Sequence, residues 1–202
     1  MDHAMPRPKS YERKDAIEKA CHAFWEHGFQ ALGVRELEQL TGINQFAIRS
    51  EFGGKEGLYL EALHYYGDAA IKAKMFPMKD GDIKDIIDFM EGLVTPGSMT
   101  SSAHGCLIVN TGIENARIKS PRQEEAVKAY WDTLEAHFRQ ALDNEYARRN
   151  KTANFIPADL APALVSAVMG IHARNRAQRD QTAGRALVTV ICSMLSDLRT
   201  EP

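Results

Sequence analysis

Residues 34–52 carry the side chains whose types and spacing suggest recognition chemistry. The residues from 45 onward would form a short helix, and the N-terminal side chains of such a helix can reach base edges. Gly42 and Asn44 precede these residues, an order that predicts a tight turn and then a capped helix. The segment therefore predicts a helix-turn-helix whose short second helix enters a major groove.

Helical periodicity surrounds this segment on both sides. Between Ser10, the expected N-cap, and Gly28, the expected stop, apolar residues recur at spacings of three and four. The strand-like run 107–109 is short and isolated, so the fold class is all-α. The pattern predicts about nine helices, at residues 10–27, 34–40, 45–52, 55–76, 83–94, 105–116, 121–149, 157–179 and 182–198.

The helices fall into two groups along the chain. Residues 1–54 hold an N-terminal arm and the first three helices, and residues 55–202 hold the remaining helices, with the helix 55–76 as connector. The Gly/Ser/Pro-rich residues 95–103 predict a mobile loop. Residues 1–5 are expected to be unstructured and could be a cloning remnant.

Composition favours a globular protein in a reducing compartment. Of the 202 residues, 44% are hydrophobic and 26% are charged, as in an ordinary globular protein. The three cysteines are widely spaced and odd in number, so they do not form a disulfide framework. No apolar run approaches the roughly 20 residues that cross a bilayer. No signal peptide is visible. We therefore expect a cytoplasmic protein without a membrane partner.

Bulk charge does not indicate a nucleic-acid partner, since the net charge is −2. Residues 1–60 hold eight Lys/Arg against nine Asp/Glu, so any basic character must come from clustering. The clustered cations within the first fourteen residues are Arg7, Lys9, Arg13 and Lys14. Such an arm could find phosphates by electrostatics alone.

Residues 16–60 resemble the DNA-binding domain of the tetracycline-repressor (TetR) family. The first helix shows the family's Ala/Phe/Gly pattern at Ala20, Phe24 and Gly28, and GINQFAIRSEFGGKEGLY at 42–59 resembles its helix-turn-helix. This similarity implies three helices for DNA, a connecting fourth helix, and a ligand and dimer domain behind it.

Two later segments resemble one subgroup of the same family. They are HGCLIVN at residues 104–110 and GIHAR at residues 170–174. The resemblance implies a ligand-responsive transcriptional regulator, expected to be a repressor. Such a regulator binds a palindromic operator as a dimer and is released by a small-molecule effector.

The family's DNA contacts map onto residues around the two short helices. They are Arg35, Asn44, Gln45, Phe46, Arg49, Ser50 and Lys55. Lys55, with the amides that start its helix, would hold a phosphate, although Arg35 and Lys55 could equally be solvated charges. Glu51 departs from the family pattern, because a carboxylate facing phosphates is repulsive. It would need to accept from a cytosine amine or pair with Arg49 or Lys55.

Residues of the second domain could line an effector cavity between helices. The ligand candidates are Phe89, Tyr130, Trp131, Phe138, Met169 and His172. For any one of them, the alternative is an ordinary core side chain. Trp131 and His172 rank highest, because each brings a polar atom into apolar surroundings.

Cys106 suggests a redox sensor, because it follows Gly105 near a helix start where a thiolate would be stabilised. An inert buried thiol is the alternative, and we favour it. His104 and Cys106 could also suggest a metal site, but two ligands are too few. We expect neither a metal nor a cofactor.

The last helix is apolar on almost every face, which predicts that a second surface covers it. The expected interface residues are Leu187, Ile191, Met194, Leu195 and Leu198. The helix at 161–173 is rich in small residues, and the two helices would form a two-fold interface. The alternative is a central core helix within one subunit.

A different functional class stays open beside the regulator. The alternative is a helical small-molecule-binding protein or an enzyme without DNA-binding activity. The sequence contains no nucleophile elbow, phosphate loop, metal-ligand cluster or paired carboxylates on one helix face, so we expect no enzyme. Salt-dependent binding to a specific DNA site would distinguish the regulator from both.

Overall fold

The structure, a computed structural model, describes residues 11–148 and 155–200. These residues form helices, turns and loops and contain no strand, which confirms the all-α prediction. The expected N-cap Ser10 lies outside the described residues, as do residues 1–5 and the first two cations of the arm. None of the helices in the described ranges is both long and apolar enough to cross a bilayer.

Nine α-helices account for most of the described chain. They are α1 (Arg13–His27), α2 (Val34–Thr41), α3 (Gln45–Phe52), α4 (Lys55–Ala70), α5 (Ile83–Gly92), α6 (Leu107–Ile118), α7 (Pro121–Arg148), α8 (Pro157–Gln178) and α9 (Arg185–Thr200). The predicted helix 55–76 ends earlier as an α-helix, and a π-helical turn and a 3-10 turn follow it. Pro77 lies in that 3-10 turn, where its missing N–H prevents a regular continuation.

Packing divides the chain into residues 1–65 and 66–202, and the division falls inside α4. The start of α4 belongs to the first unit because the Tyr59 ring packs edge-on against Phe24, with centroids 4.7 Å apart. The predicted functional boundary after residue 54 stays a prediction.

Local interactions set the helix ends of the first unit. Glu12, rather than the expected Ser10, is the N-cap of α1, and its carboxylate accepts from the Asp15 amide at 2.8 Å. Gly28 ends α1 with a φ of +85°, a conformation that a side chain would disfavour. Each short helix is thus bounded by the residue types that stop or cap helices.

In the second unit, α7 packs against α6 and α8, and α5 packs against α9. Asn175 of α8 is fully buried and joins distant segments. Its amide donates to the carbonyls of Leu93 and Gln181, and its oxygen accepts from the Gly184 amide. The start of the loop predicted at residues 95–103 is thereby fixed to the turn between α8 and α9.

Two arginines complete this attachment. Arg185 donates to the carbonyl of Val94 at 3.2 Å, and Arg176 donates to that of His104 at 3.1 Å. The loop that the sequence predicts to be mobile therefore has both ends hydrogen-bonded to α8 and α9.

Candidate nucleic-acid interface and ligand site

The helix-turn-helix has the geometry expected for DNA recognition. Gly42 ends α2 in the left-handed conformation, with a φ of +75°. Asn44 then caps α3, its side-chain oxygen accepting from the Ala47 amide at 2.8 Å. Ile43 between them is fully buried and fills the angle between the two helices. The turn residues thus fix α3 against α2 without using its outer face.

The outer face of α3 is open to solvent. Gln45, Phe46 and Arg49 are exposed, and Phe46 has an exposed fraction of 80%. These three side chains line a groove of about 460 Å³. Lys55 at the start of α4 lines the same groove, so two cations border it. An open groove lined by an amide, a guanidinium and an ammonium group has the chemistry that a DNA contact requires.

Several predicted DNA contacts are already hydrogen-bonded within the protein. The Gln45 amide donates to the Glu38 carboxylate at 2.7 Å, and the Ser50 hydroxyl donates to the Phe46 carbonyl at 2.9 Å. Asn44 is used as the cap of α3. Sequence periodicity places these side chains correctly but does not reveal the interactions that engage them.

The two predicted arginine contacts differ from these. Arg35 and Arg49 are exposed and have no hydrogen bond or ion pair with the described part of the chain. Lys55 instead places its ammonium 4.4 Å from the centroid of the Phe29 ring, a cation–π contact that orients the side chain. Both arginines can therefore reach phosphates or bases without breaking an internal contact.

Glu51 is paired with a residue that the sequence did not suggest. Its carboxylate accepts from the Tyr11 hydroxyl at 2.9 Å. Partial burial and this carboxylate raise the pKa of Tyr11 above its usual value. At roughly 100° per residue, Glu51 lies about 160° around α3 from Arg49, on the far side of the helix. The expected repulsion from phosphates on the Arg49 face is therefore removed.

One cation of the predicted arm is engaged by side chains of the first unit instead. Arg13 donates to Glu61 at 2.8 Å, and its guanidinium lies 4.3 Å from the centroid of the Phe52 ring. It therefore anchors the start of α1 rather than serving as part of a free basic arm.

The ligand candidates of the second unit lie in different surroundings. Phe89 and Phe138 are buried and pack edge-to-face at 5.4 Å, as core side chains do. Tyr130 and Trp131 are adjacent on α7, with their rings 5.1 Å apart. Met169 on α8 is half-buried. The structure therefore brings Phe89 together with Phe138, and Tyr130 with Trp131, in two separate ring pairs.

Buried polar atoms without a partner point to a ligand more directly. The indole nitrogen of Trp131 and Nδ1 of His172 have none among the described residues, and burial lowers the pKa of His172 to about 4. The same holds for Oδ1 of Asn110 and for both amide atoms of Gln123, which is fully buried. Sequence reasoning missed Gln123, because its run PRQEE reads as a solvated helix start. A buried unpaired amide costs about 1–3 kcal/mol, so each of these atoms is a candidate contact for a hydrogen-bonding group.

Cys106 is the N-cap of α6 and is buried. The nearby amides of Val109 and Ile108 and the Tyr66 hydroxyl favour the thiolate and act to lower the pKa of Cys106. Burial outweighs these donors and raises the pKa of Cys106 above its ordinary value. These observations favour the inert thiol over the redox sensor. No cluster of metal-ligating side chains is found in the described part of the chain.

Helix α9 has two unlike faces. Ile191 and Leu195 point inward and are buried within the subunit, because α9 packs against α5. Leu187, Val190 and Met194 are exposed large apolar residues. The expected interface set therefore needs revision, because Val190 belongs to the exposed face and Ile191 and Leu195 do not.

Comparison with known proteins identifies related sequences. The pattern described as "Bacterial regulatory proteins, tetR family" matches residues 16–62. The transcriptional repressor ComR of Escherichia coli is 29% identical over 107 residues, which cover 52% of this chain and 51% of ComR. This alignment thus spans about half the length of that relative. The repressor BdcR of the same organism is 21% identical over 92% of this chain and 93% of its own length.

A solved structure shares the whole fold. A cysteine mutant of the TetR family transcriptional regulator CifR, complexed with a 26-base-pair operator, superposes with a TM-score of 0.75. It is 20% identical and covers 98% of this chain and 100% of its own. The likeness confirms that the arrangement of helices is one that regulators of this kind adopt.

Proposed function

The chain belongs to the TetR family of bacterial transcriptional regulators, and on that premise we propose that it is a repressor that binds a palindromic operator as a homodimer. A small-molecule effector bound in the second unit releases it. The observation that carries the proposal is the open outer face of α3, where Arg49 stands unpaired beside Gln45 and Phe46. Membership of a family of regulators removes the enzyme alternative. The chromosome is the partner, so we expect the protein in the cytoplasm.

The proposed contacts divide into phosphate and base contacts. Arg35 at the start of α2 and Lys55 with the first amides of α4 hold phosphates, because helix N-termini and cations favour anions. Arg49 reads guanine from the exposed face of α3. Gln45 reads adenine after leaving Glu38. Phosphate contacts fix the register of the protein, and base contacts give it specificity.

Selection of bound sequences from a random duplex pool tests the DNA-binding proposal. The purified full chain should enrich a palindrome, and Arg49→Ala should weaken its binding by about 5- to 150-fold, the range of one good base contact. Arg117→Ala is the matched control, because Arg117 is an exposed arginine on α6 and its loss changes the charge equally. Failure of the folded wild type to enrich any sequence at low salt would end the proposal.

The dimer proposal is supported by two exposed faces. On α9, Leu187, Val190 and Met194 form an apolar strip. On α8, Ser166 is exposed, and a side chain at Gly170 would meet nothing within 4 Å, so a partner helix can approach closely. Apolar and small surfaces of this kind suit a two-fold four-helix interface.

Light scattering of a charged variant tests the dimer. Val190→Arg should give a monomer with much weaker operator binding, because a guanidinium would be buried without a partner. Ile113→Arg is the matched control, since Ile113 on α6 is exposed to 61% and Val190 to 65%. If Val190→Arg remains a dimer, the interface does not include this face of α9.

The effector proposal is supported by the unpartnered atoms of Gln123, Trp131 and His172. Compounds that release the operator from the wild type should lose potency with Gln123→Leu, which removes both hydrogen-bonding atoms but keeps the side chain's approximate size. Release at unchanged potency would exclude Gln123 from the effector site. The redox hypothesis for Cys106 stays a prediction outside this mechanism.

A further inference from the structure

Phe46 is exposed more than any other large apolar side chain in the described part of the chain. Its exposed fraction is 80%, against 65% for the next, Val190. The ring has no contact with another aromatic ring among the described residues. A single exposed apolar side chain is common on protein surfaces, so the exposure of Phe46 becomes informative only through the position of the ring.

The position of Phe46 determines what it can contact. It is the second residue of α3, in the first turn, and first-turn side chains of a recognition helix reach base edges. The major groove offers donors, acceptors and a single apolar group, which is the 5-methyl of thymine. A phenyl ring can form no hydrogen bond with the groove, so the methyl is the group that it matches.

The neighbouring side chains limit which kind of partner can fit beside Phe46. Gln45 is held by Glu38, and the Ser50 hydroxyl is bonded to the carbonyl of Phe46 itself. The groove that Phe46 lines also contains Arg49 and Lys55, so its occupant carries negative charge. A DNA duplex supplies phosphates for the cations and a methyl group for the ring together, whereas an apolar protein surface supplies no anion.

We propose that Phe46 is a specificity-determining residue that packs against the 5-methyl group of a thymine in each half of the operator. The inference rests on the proposed function, because it requires an operator. It adds to that function the identity of one base and the chemical group by which it is read.

Replacement of thymine by deoxyuridine tests this directly, because it removes the methyl and leaves every hydrogen-bonding group in place. Each thymine of the selected operator is replaced in turn, in both half-sites, and the Kd is measured for the wild type and for Phe46→Ala. Loss of one buried methyl group weakens binding about fourfold. Since each replacement removes the methyl from both half-sites, the Kd of the wild type should rise roughly 15-fold at the position that Phe46 contacts. Phe46→Ala should be insensitive at that position.

A control variant separates this effect from a general loss of apolar surface. Leu40→Ala removes an exposed apolar side chain from α2, 47% exposed, and should keep the wild-type response to deoxyuridine. Thermal unfolding should be unchanged in Phe46→Ala, because the ring contributes little to the core at its exposure.

Three outcomes distinguish the inference from the proposed function. Loss of methyl sensitivity in Phe46→Ala alone supports it. Equal sensitivity in both proteins, or a uniform loss of affinity in Phe46→Ala whatever the base, overturns it while the operator proposal stands. Enrichment of no sequence from the random pool overturns the proposed function, and this inference with it.

Discussion

Substitution of Gly105 by alanine should destabilise the second unit through two separate effects. Gly105 has a φ of +71°, which an L-residue rarely adopts. A Cβ at this position would also lie 2.7 Å from the carbonyl oxygen of His172 and 3.1 Å from Cβ of Arg176. The first distance is to the backbone of α8, so no side-chain rotation can relieve the overlap.

The magnitude follows from the two effects. The left-handed conformation costs an alanine roughly 1–2 kcal/mol, and overpacking against backbone costs about 1–3 kcal/mol more. The free energy of unfolding should therefore fall by about 2–5 kcal/mol. In a chain of this size, 1 kcal/mol lowers Tm by about 2–4 °C.

Comparison with Gly97→Ala isolates the second effect, the overlap with α8. Gly97 lies in the same loop with a φ of +82°, and a Cβ there would meet nothing within 4 Å. This variant should show the conformational cost alone. In circular dichroism melts, the Tm of Gly105→Ala should therefore lie roughly 2–12 °C below that of Gly97→Ala. Equal melting temperatures would show that the loop before α6 does not approach α8 as closely as the structure has it.

Two further substitutions test buried polar groups of the second unit by the same melts. Burial lowers the pKa of His172 to about 4, whereas the unfolded value is about 6.5, so the unfolded state binds the proton first. The free energy of unfolding should therefore decrease by up to roughly 3 kcal/mol as the pH falls from about 6.5 to about 4. His172→Gln should flatten that slope, and an unchanged slope would assign it to other groups. Asn175→Ala leaves the buried Leu93 carbonyl and Gly184 amide without this partner and removes one of two donors from the Gln181 carbonyl. It should cost about 2 kcal/mol or more, against less than about 0.5 kcal/mol for the exposed Gln140→Ala, and similar losses in the two variants would contradict the joining role of Asn175.

The parts of the fold that follow from local chemistry could be predicted from the sequence. Gly42 and Asn44 gave the turn and the cap of α3, because positive φ and capping depend on one residue and its neighbours. Helical periodicity likewise placed eight of the nine helices to within three residues at each end, whereas α4 ends at Ala70 and not at residue 76. The prediction of Ser10 as the N-cap of α1 was wrong. Glu12 takes that position, because its carboxylate accepts from the Asp15 amide in the first turn.

Interactions between distant residues could not be predicted in this way. The Tyr11–Glu51 hydrogen bond joins positions 40 residues apart, and sequence spacing favoured nearby cations as partners for that carboxylate. Gln123 is buried although its neighbours are charged, since burial depends on which helices cover that turn of α7. For α9, the sequence indicated two apolar faces but not which face packs against α5.

The attachment of the loop after α5 to α8 and α9 affects the order of events during synthesis. The bond from Arg185 to Val94 joins positions 91 residues apart, and that from Asn175 to Leu93 joins positions 82 apart. At roughly 5–20 residues per second, the ribosome needs about 5–20 seconds to supply the second partner of each bond. The helix-turn-helix at residues 34–52 has been synthesised even earlier. The nascent chain therefore presents the complete helix-turn-helix well before the loop after α5 can be attached to α8 and α9.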